Sequence, residues 1–397
     1  LFRLGRALGS DNLGVFLYIV LQFLVCAWVF GQVTAFAAKL GCSRGVQYAV
    51  TAFFALDPIW GAFIQTQVKD TLYTGLFVLF VLKTADLLLF PQKWQGNRPR
   101  LTAYAVLGVL CCLLRKNGIY AVVPMLLVSA CTVSEKRLRR PVLAVLLAVC
   151  IGSFGFDMFT EKVLDIPAGS VGEALSVPMQ QTARYIRDYG NEVTDDERTA
   201  IEKALDYDAI AQSYMPELSD GVKQYYKNPG KGDLARYMLV WAKMLLKHPV
   251  CYFEATHANS HGYYTITKCR AINDYYTFNN DICMEMSEMN VHYLDKSGYL
   301  RYAFVQALSA FEKLPLVGLT TSIGFMAWLT AVLGLWLARC KAKPVLPVFI
   351  GLGIFWLTCI ASPVNDCMRY FLPVAGCLPL VFCLAAVFSR EKSEITV

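Results

Sequence analysis

The chain has 397 residues, of which 56% are hydrophobic and only 17% charged, well short of the roughly one quarter charged that soluble domains carry. Its formal net charge is +7, yet it has no basic run for nucleic acid, no Gly-rich phosphate loop after a strand and no Gly-x-Ser-x-Gly turn. A soluble globule and a nucleic-acid-binding protein are therefore excluded, and what remains is a chain that places much of its surface in lipid.

A bilayer core takes about 20 apolar residues per helical crossing, and stretches that meet or approach this length recur along the chain. In order they are 13–38, 46–64, 71–90, two half-length helices at 101–114 and 118–133, then 141–160, 314–338, 345–362 and 367–388. The reading is an all-α polytopic transmembrane bundle of about nine crossings or half-crossings. The first residue is Leu1 and no signal-peptide pattern precedes the first crossing, so a numbering that starts inside a longer protein is expected.

Three blocks follow: an N-terminal membrane block at 1–160, a polar block at 161–312 and a C-terminal membrane block at 313–397. The polar block holds 15 Lys/Arg against 21 Asp/Glu, net −6, and the membrane blocks hold 22 against 9, net +13. All four histidines, His248, His257, His261 and His292, lie in the polar block. Within it, Thr194-Asp195-Asp196-Glu197 forms a cap for a helix through Leu205, and Asp233 opens an amphipathic run through Lys247 that Pro249 follows. A helical exterior domain inserted before the last three crossings is expected.

Cationic short loops stay cytoplasmic. The loop 135–140 with Lys136, Arg137, Arg139 and Arg140 is the most basic, followed by Arg339, Lys341 and Lys343, by Lys93, Arg98 and Arg100, and by Arg390 and Lys392 in the tail. With these inside, the half-length helices form a hairpin whose tip, Arg115-Lys116-Asn117-Gly118, faces outward with the polar block.

Four clusters share that outer surface, where ionisable groups mark candidate sites. Asp57-Pro58 places an acid and a helix breaker in an apolar run, as a site or as a cap beside a kink. Lys69 and Asp70 sit at a turn between crossings, where Lys69 suits an anion or simply pairs with Asp70. Arg115 and Lys116 lie against the charge bias at the junction of two short helices, an arrangement suited to phosphate or to snorkelling toward headgroups. Asp366, Arg369 and Tyr370 open the last crossing; arginine suits bidentate phosphate recognition, and an interfacial Arg/Tyr belt is the plainer reading.

In the polar block, Glu254, His257 and His261 fall on one helical face, a weak metal or acid/base candidate without a third-ligand spacing. Most of the fourteen cysteines lie in apolar runs and read as small hydrophobes. Cys251, Cys269, Cys283 and Cys367 leave one disulfide open.

The pieces Ser10-Asp11-Asn12-Leu13-Gly14, Asp57-Pro58 with Val68-Lys69-Asp70, Leu114-Arg115-Lys116-Asn117-Gly118-Ile119-Tyr120, and Ser362-Pro363-Val364-Asn365 with Arg369-Tyr370-Phe371-Leu372-Pro373 carry a resemblance. In this order, spanning nearly the whole chain, they resemble an uncharacterised bacterial family within the GT-C superfamily of integral-membrane glycosyltransferases. The resemblance implies transfer of a sugar from a polyprenyl-phosphate donor to a lipid or cell-envelope glycan acceptor, at the outer face of the bacterial cytoplasmic membrane. It implies an acid in the first exterior loop, acting as base or as ligand of a divalent metal such as Mg or Mn. That loop would precede Leu1, which leaves Asp57, Asp70 and Asp366 as fallback acids. Lys69, Arg115, Lys116, Arg369 and Tyr370 are the expected donor-phosphate residues, and His257 and His261 the expected acceptor-side ones. A transporter or lipid-linked-glycan flippase, and a surface-polysaccharide polymerase or ligase, are the alternative readings.

Overall fold

Several helices begin where the sequence offers a side-chain oxygen to their first free N–H groups. In the computed structural model, which describes residues 1–166, 169–266, 290–292, 297–340 and 342–395, a short helix α1 (Phe2–Ala7) leads to α2 (Asp11–Lys39), whose cap Ser10 accepts from Leu13 N at 3.3 Å. Ser43 likewise opens α3 (Arg44–Leu56), and Asp57 opens α4 (Pro58–Ile64) with Pro58 in its first turn. Then come α5 (Lys69–Leu89), α6 (Arg98–Leu114) capped by Asn97, α7 (Ile119–Thr132) and α8 (Arg139–Lys162). The polar stretch contributes α9 (Ser176–Tyr189), α10 (Asp195–Ala204), α11 (Tyr207–Gln212), α12 (Asp220–Lys223), α13 (Lys231–Lys247) and α14 (Pro249–Ser260). The chain closes with α15 (Tyr299–Glu312), α16 (Ile323–Arg339), α17 (Leu346–Ile360) and α18 (Met368–Ile395). Among the described residues there are isolated bridges and no strand.

Among the described residues, five helical stretches are long and apolar enough to cross a membrane: Asp11–Lys39, Lys69–Leu89, Lys136–Lys162, Lys343–Ile360 and Met368–Ser389. Two of them are 78% buried, Lys69–Leu89 and Met368–Ser389, against 28% and 22% for Asp11–Lys39 and Lys136–Lys162. Helices α5 and α18 are thus the inner elements, packed on each other, with α5 also on α2 and α6 and α18 on α16. The outer faces of α2 and α8 expose Phe23, Leu24, Trp28, Leu147, Ile151 and Phe154, which suits contact with acyl chains.

Hydrophobic transfer does little to bring helices together in lipid, so close packing does most of it. Gly376 shows how: a Cβ there would lie 2.7 Å from Val78 Cγ2 and 3.3 Å from Thr74 Cγ2, so only glycine lets α18 come this near to α5. Gly108 does the same on α6, where a Cβ would lie 2.7 Å from Val149 on α8.

The stretch expected as one crossing at 46–64 is instead two helices, α3 and α4, broken at Asp57. The break is physical: the Asp57 carboxylate caps α4 through Ile59 N at 3.1 Å, and Pro58 has no N–H to continue α3. The apolar run expected as a crossing at 314–338 spends its first part on a 3-10 turn, Val317–Thr321, before α16 starts.

By packing, the chain divides into two units: Leu1–Phe156 with Ile266–Trp356 and Met368–Val397, and Asp157–Thr265 with Leu357–Cys367. These bounds differ from the 161–312 block drawn on charge. Helix α15 belongs to the first unit, where its last turn packs on the Val317–Thr321 turn. The second unit has a core of its own, in which Tyr185, Tyr237, Tyr252, Met179, Ile201 and Leu205 are buried. Tyr237 and Thr182 share a hydroxyl hydrogen bond at 2.9 Å inside it. The capping box at the start of α10 is complete: Thr194 Oγ1 accepts from Glu197 N at 3.3 Å and Glu197 Oε2 accepts from Thr194 N at 3.0 Å. Lys247 at the end of α13 then ties that same carboxylate at 2.7 Å.

Candidate functional site

Asp70 lies in the first turn of α5, where the helix N-terminus favours an anion. It is buried, and two guanidiniums reach it. Arg115 Nη1 stands 3.1 Å from Oδ1, and Arg369 Nε stands 3.6 Å from Oδ2. Arg115 comes from the break between α6 and α7, where its extended backbone ends one helix and Gly118 N closes a turn onto Arg115 O at 2.8 Å. A Cβ at Gly118 would lie 2.8 Å from Cys111 O, so the break is closely packed. Arg369 comes from the first turn of α18.

Aromatic rings hold Arg115 in place. Its guanidinium carbon sits 5.0 Å from the Tyr370 ring centroid, 5.4 Å from that of Phe355 and 5.9 Å from that of Tyr73. Each such contact contributes roughly 0.5–2 kcal/mol, more as the pair is desolvated. Arg369 Nη2 donates to the Tyr370 hydroxyl at 3.2 Å. Below the cluster, Gln22 Nε2 donates to the carbonyls of Phe63, Ile64 and Thr66 at 3.3, 2.8 and 3.0 Å, which fixes the loop leading into α5.

One carboxylate between two guanidiniums leaves the cluster at net +1, with exposed Lys69 and Lys116 next to it along the chain. Burying such charge is costly, and a well-packed apolar cluster would stabilise the bundle at least as well. The arrangement instead suits an anion. A guanidinium presents five N–H donors in a fixed fork, a geometry that matches phosphate oxygens, and Arg115 also donates to Tyr370 O at 3.5 Å.

The structure thus brings Asp70, Arg115, Arg369 and Tyr370 together. Asp70 faces the arginines and not Lys69, the partner considered for it from sequence. Asp57 takes no part in these ion pairs and serves as the cap of α4, with the Thr320 side chain facing its carboxylate. Tyr73 and Phe355 were not singled out from sequence. The spacing of Asp70 and Tyr73, three apart on one helix face, is a signal that could have found the first; Phe355 gives none, being one aromatic in an apolar run.

In the second unit, residues 362–366 form a turn bound on several sides. Ser219 N donates to Pro363 O at 2.7 Å, Asn259 Nδ2 to Ser362 O at 2.8 Å, Gly262 N to Asn365 Oδ1 at 2.8 Å and Tyr263 OH to Val364 O at 2.8 Å. Asp366 takes φ 52°, a left-handed backbone, and a Cβ at position 262 would come 2.4 Å from Asp366 Cβ, so Gly262 is required there. His261 Nδ1 lies 3.1 Å from Asn365 Nδ2, and His257 Nδ1 lies 2.8 Å from the Tyr264 hydroxyl.

The side chains of the weak metal candidate Glu254, His257 and His261 have other partners. Glu254 turns to Arg184 and His257 to Tyr264, and no group of three or more His, Cys, Asp or Glu gathers to hold an ion among the described residues. Helical spacing put the three side chains on one face, but a nearer cation and a nearer hydroxyl claim two of them. Cys251 and Cys367 are buried and not joined to each other in a disulfide, while Cys269 and Cys283 lie outside the described residues.

The chain belongs to the family of unknown function DUF6020, whose model matches residues 1–396. No curated protein and no solved structure matches it.

Proposed function

We propose that this DUF6020 member is a membrane glycosyltransferase of the GT-C type, which moves a sugar from a polyprenyl-phosphate donor to a lipid or cell-envelope glycan acceptor. The observation that carries the reading is the pairing of Arg115 and Arg369 on the single buried carboxylate of Asp70, with Tyr370, Tyr73 and Phe355 around them. A donor that enters sideways from the bilayer needs cations beside an apolar wall for its phosphate, and this cluster offers both. The residues 13–38 through 367–388 form about nine crossings or half-crossings in this reading, with the cluster and the histidine-bearing unit at the exterior face of a bacterial cytoplasmic membrane.

In the transfer, an acceptor hydroxyl oxygen bonds to the anomeric carbon as the bond from that carbon to the phosphate oxygen breaks. The electron pair leaves on the polyprenyl phosphate, whose growing charge Arg115 and Arg369 stabilise, with Lys69 and Lys116 adding to the field. The acceptor proton passes to a carboxylate. Asp70 is engaged by the two arginines and fits a positioning role, so Asp57 is the other candidate acid of this unit for that step.

A transporter or flippase is the second reading, favoured by the broken pair α6/α7 with Arg115 at the break. A polysaccharide polymerase or ligase would share the donor chemistry and differ in the acceptor. The test uses purified full chain, a polyprenyl-phosphate sugar and the variants Arg115→Ala and Arg369→Ala. Both variants are expected to insert and fold while turnover is lost. Turnover at the wild-type rate in both would remove the phosphate role, and accumulation of substrate in vesicles without a covalent product would favour transport.

A further inference from the structure

The opposite end of α5 carries a second buried acid, Asp86, sixteen residues from Asp70 and so about 24 Å along the helix. Both of its oxygens are engaged. Trp94 Nε1 donates to Oδ2 at 2.9 Å, and the Lys39 ammonium at the end of α2 pairs with Oδ1. The Lys39 ammonium also sits 3.9 Å from the centroid of the Phe90 ring. With Trp94 fully buried, this corner is fixed.

Beside it opens a cavity of about 180 Å³ between α2, α5 and the start of α6, whose polar lining is Gln32, Lys39, Lys83, Asp86 and Arg100. Three cations and one acid leave it at net +2. Asp86 is already engaged by Lys39 and Trp94, so neither Lys83 nor Arg100 takes a carboxylate from it. Arg100 is aimed by its Nη1 bond to Lys93 O at 2.9 Å and by the Trp94 ring 5.4 Å away, which engages only part of its donor fork. Lys83 is half-buried in the body of a membrane-spanning helix, and among the described residues it forms no hydrogen bond or ion pair. An ammonium at such a position is costly without an anion.

The cationic bias of membrane proteins accounts for Arg100 beside the basic loop but not for how the three cations converge. That bias places lysine and arginine on loops, whereas Lys39 and Lys83 project from helices into one concave site. Phe36 and Leu82 form its apolar wall, beside the outer helix α2.

We propose that this cavity binds a phosphate-bearing anion, held by Lys83 and Arg100 with Lys39 as the third cation. The chemistry is that of a phosphate oxyanion, presented by an anionic lipid headgroup or free in solution. The site is separate from the Asp70 cluster and does not depend on the transferase reading.

The test measures thermal unfolding of the purified full chain under two conditions. In one, the protein in neutral detergent is titrated with inorganic pyrophosphate; in the other it is placed in nanodiscs of phosphatidylcholine with or without phosphatidylglycerol. Stabilisation is expected, and Lys83→Gln and Arg100→Gln are each expected to weaken the apparent affinity by about fivefold, while Lys83→Arg keeps it. A response to pyrophosphate as well as to phosphatidylglycerol assigns a free oxyanion as sufficient; a response to phosphatidylglycerol alone assigns the headgroup. No stabilisation in either condition, or the same stabilisation in both Gln variants as in the wild type, overturns the proposal. Should one Gln variant fail to fold, the comparison of Lys83→Arg with the other decides.

Discussion

Arg369 reaches the oxygen of Asp70 that Arg115 leaves open, at 3.6 Å, so that one acid on α5 is shared by the α6/α7 break and by the start of α18. Three pieces of chain distant in sequence meet on a single carboxylate. Removing that carboxylate sets two guanidiniums against each other in a buried place.

Asp70→Asn is therefore expected to lower stability by about 3–5 kcal/mol, the cost of leaving a buried charge without its partner. Arg369→Gln is expected to cost less, because the Arg369 side chain is 34% exposed against 11% for Arg115. Thermal unfolding in detergent measures both, and an Asp70→Asn protein that melts with the wild type would sink the idea that this acid organises the cluster.

The second unit should lose stability in acid. Burial pushes the Glu197 carboxyl up, but the Lys247 ammonium and the Thr194 N–H outweigh it and hold the group below its ordinary value. A group with a lowered folded pKa contributes stability above the ordinary value of about 4.3, and loses it as pH falls through the folded one. Asp188, held down by Arg187, and Glu202, held down by Lys227, act in the same direction. Protection of the α10 and α13 amides from hydrogen exchange is expected to stay level from neutrality to about pH 5 and to fall below about pH 4. Glu197→Gln should be less protected near neutrality and flatter in acid; a profile identical to the wild type would remove Glu197 as a cause.

At Gly376 a side chain has nowhere to go. Gly376→Leu is expected to destabilise the bundle by about 1–3 kcal/mol or more through overpacking against Val78 and Thr74. Gly353→Leu is the control, since a Cβ there meets nothing within 4 Å. Equal melting temperatures for the two variants would mean that α5 and α18 are not held this close.

Sidedness has its own test. Cysteines introduced at Lys136 and at His257 should be labelled by an impermeant reagent from opposite faces of sealed vesicles. Labelling from the same face would place the basic loop beside the histidines and remove the proposed exterior site.

What could be read from sequence is what local chemistry decides. The capping box at Thr194 and Glu197 and the amphipathic α13 were legible because a cap and a 3.6-residue period are local signals. Asp57-Pro58 was legible as a break, although hydropathy alone drew one crossing through it. Arg115, Asp70 and Arg369 were legible as charges out of place in apolar surroundings, but not as partners, since ion pairing across 45 and 299 residues leaves no local trace. The membership of residues 357–367 in the second unit was hidden by an apolar run that continues through it. For Glu254, His257 and His261, spacing gives a common face and says nothing of competing partners such as Arg184 and Tyr264.

Helix α5 is pinned twice, to Arg115 and Arg369 through Asp70 and to Lys39 and Trp94 through Asp86. A rod fastened at top and bottom cannot slip by a turn or roll about its axis without opening both latches together. Any cycle that rocks this helix against its neighbours must separate buried charges at two levels, whereas chemistry at a static pocket leaves both latches shut.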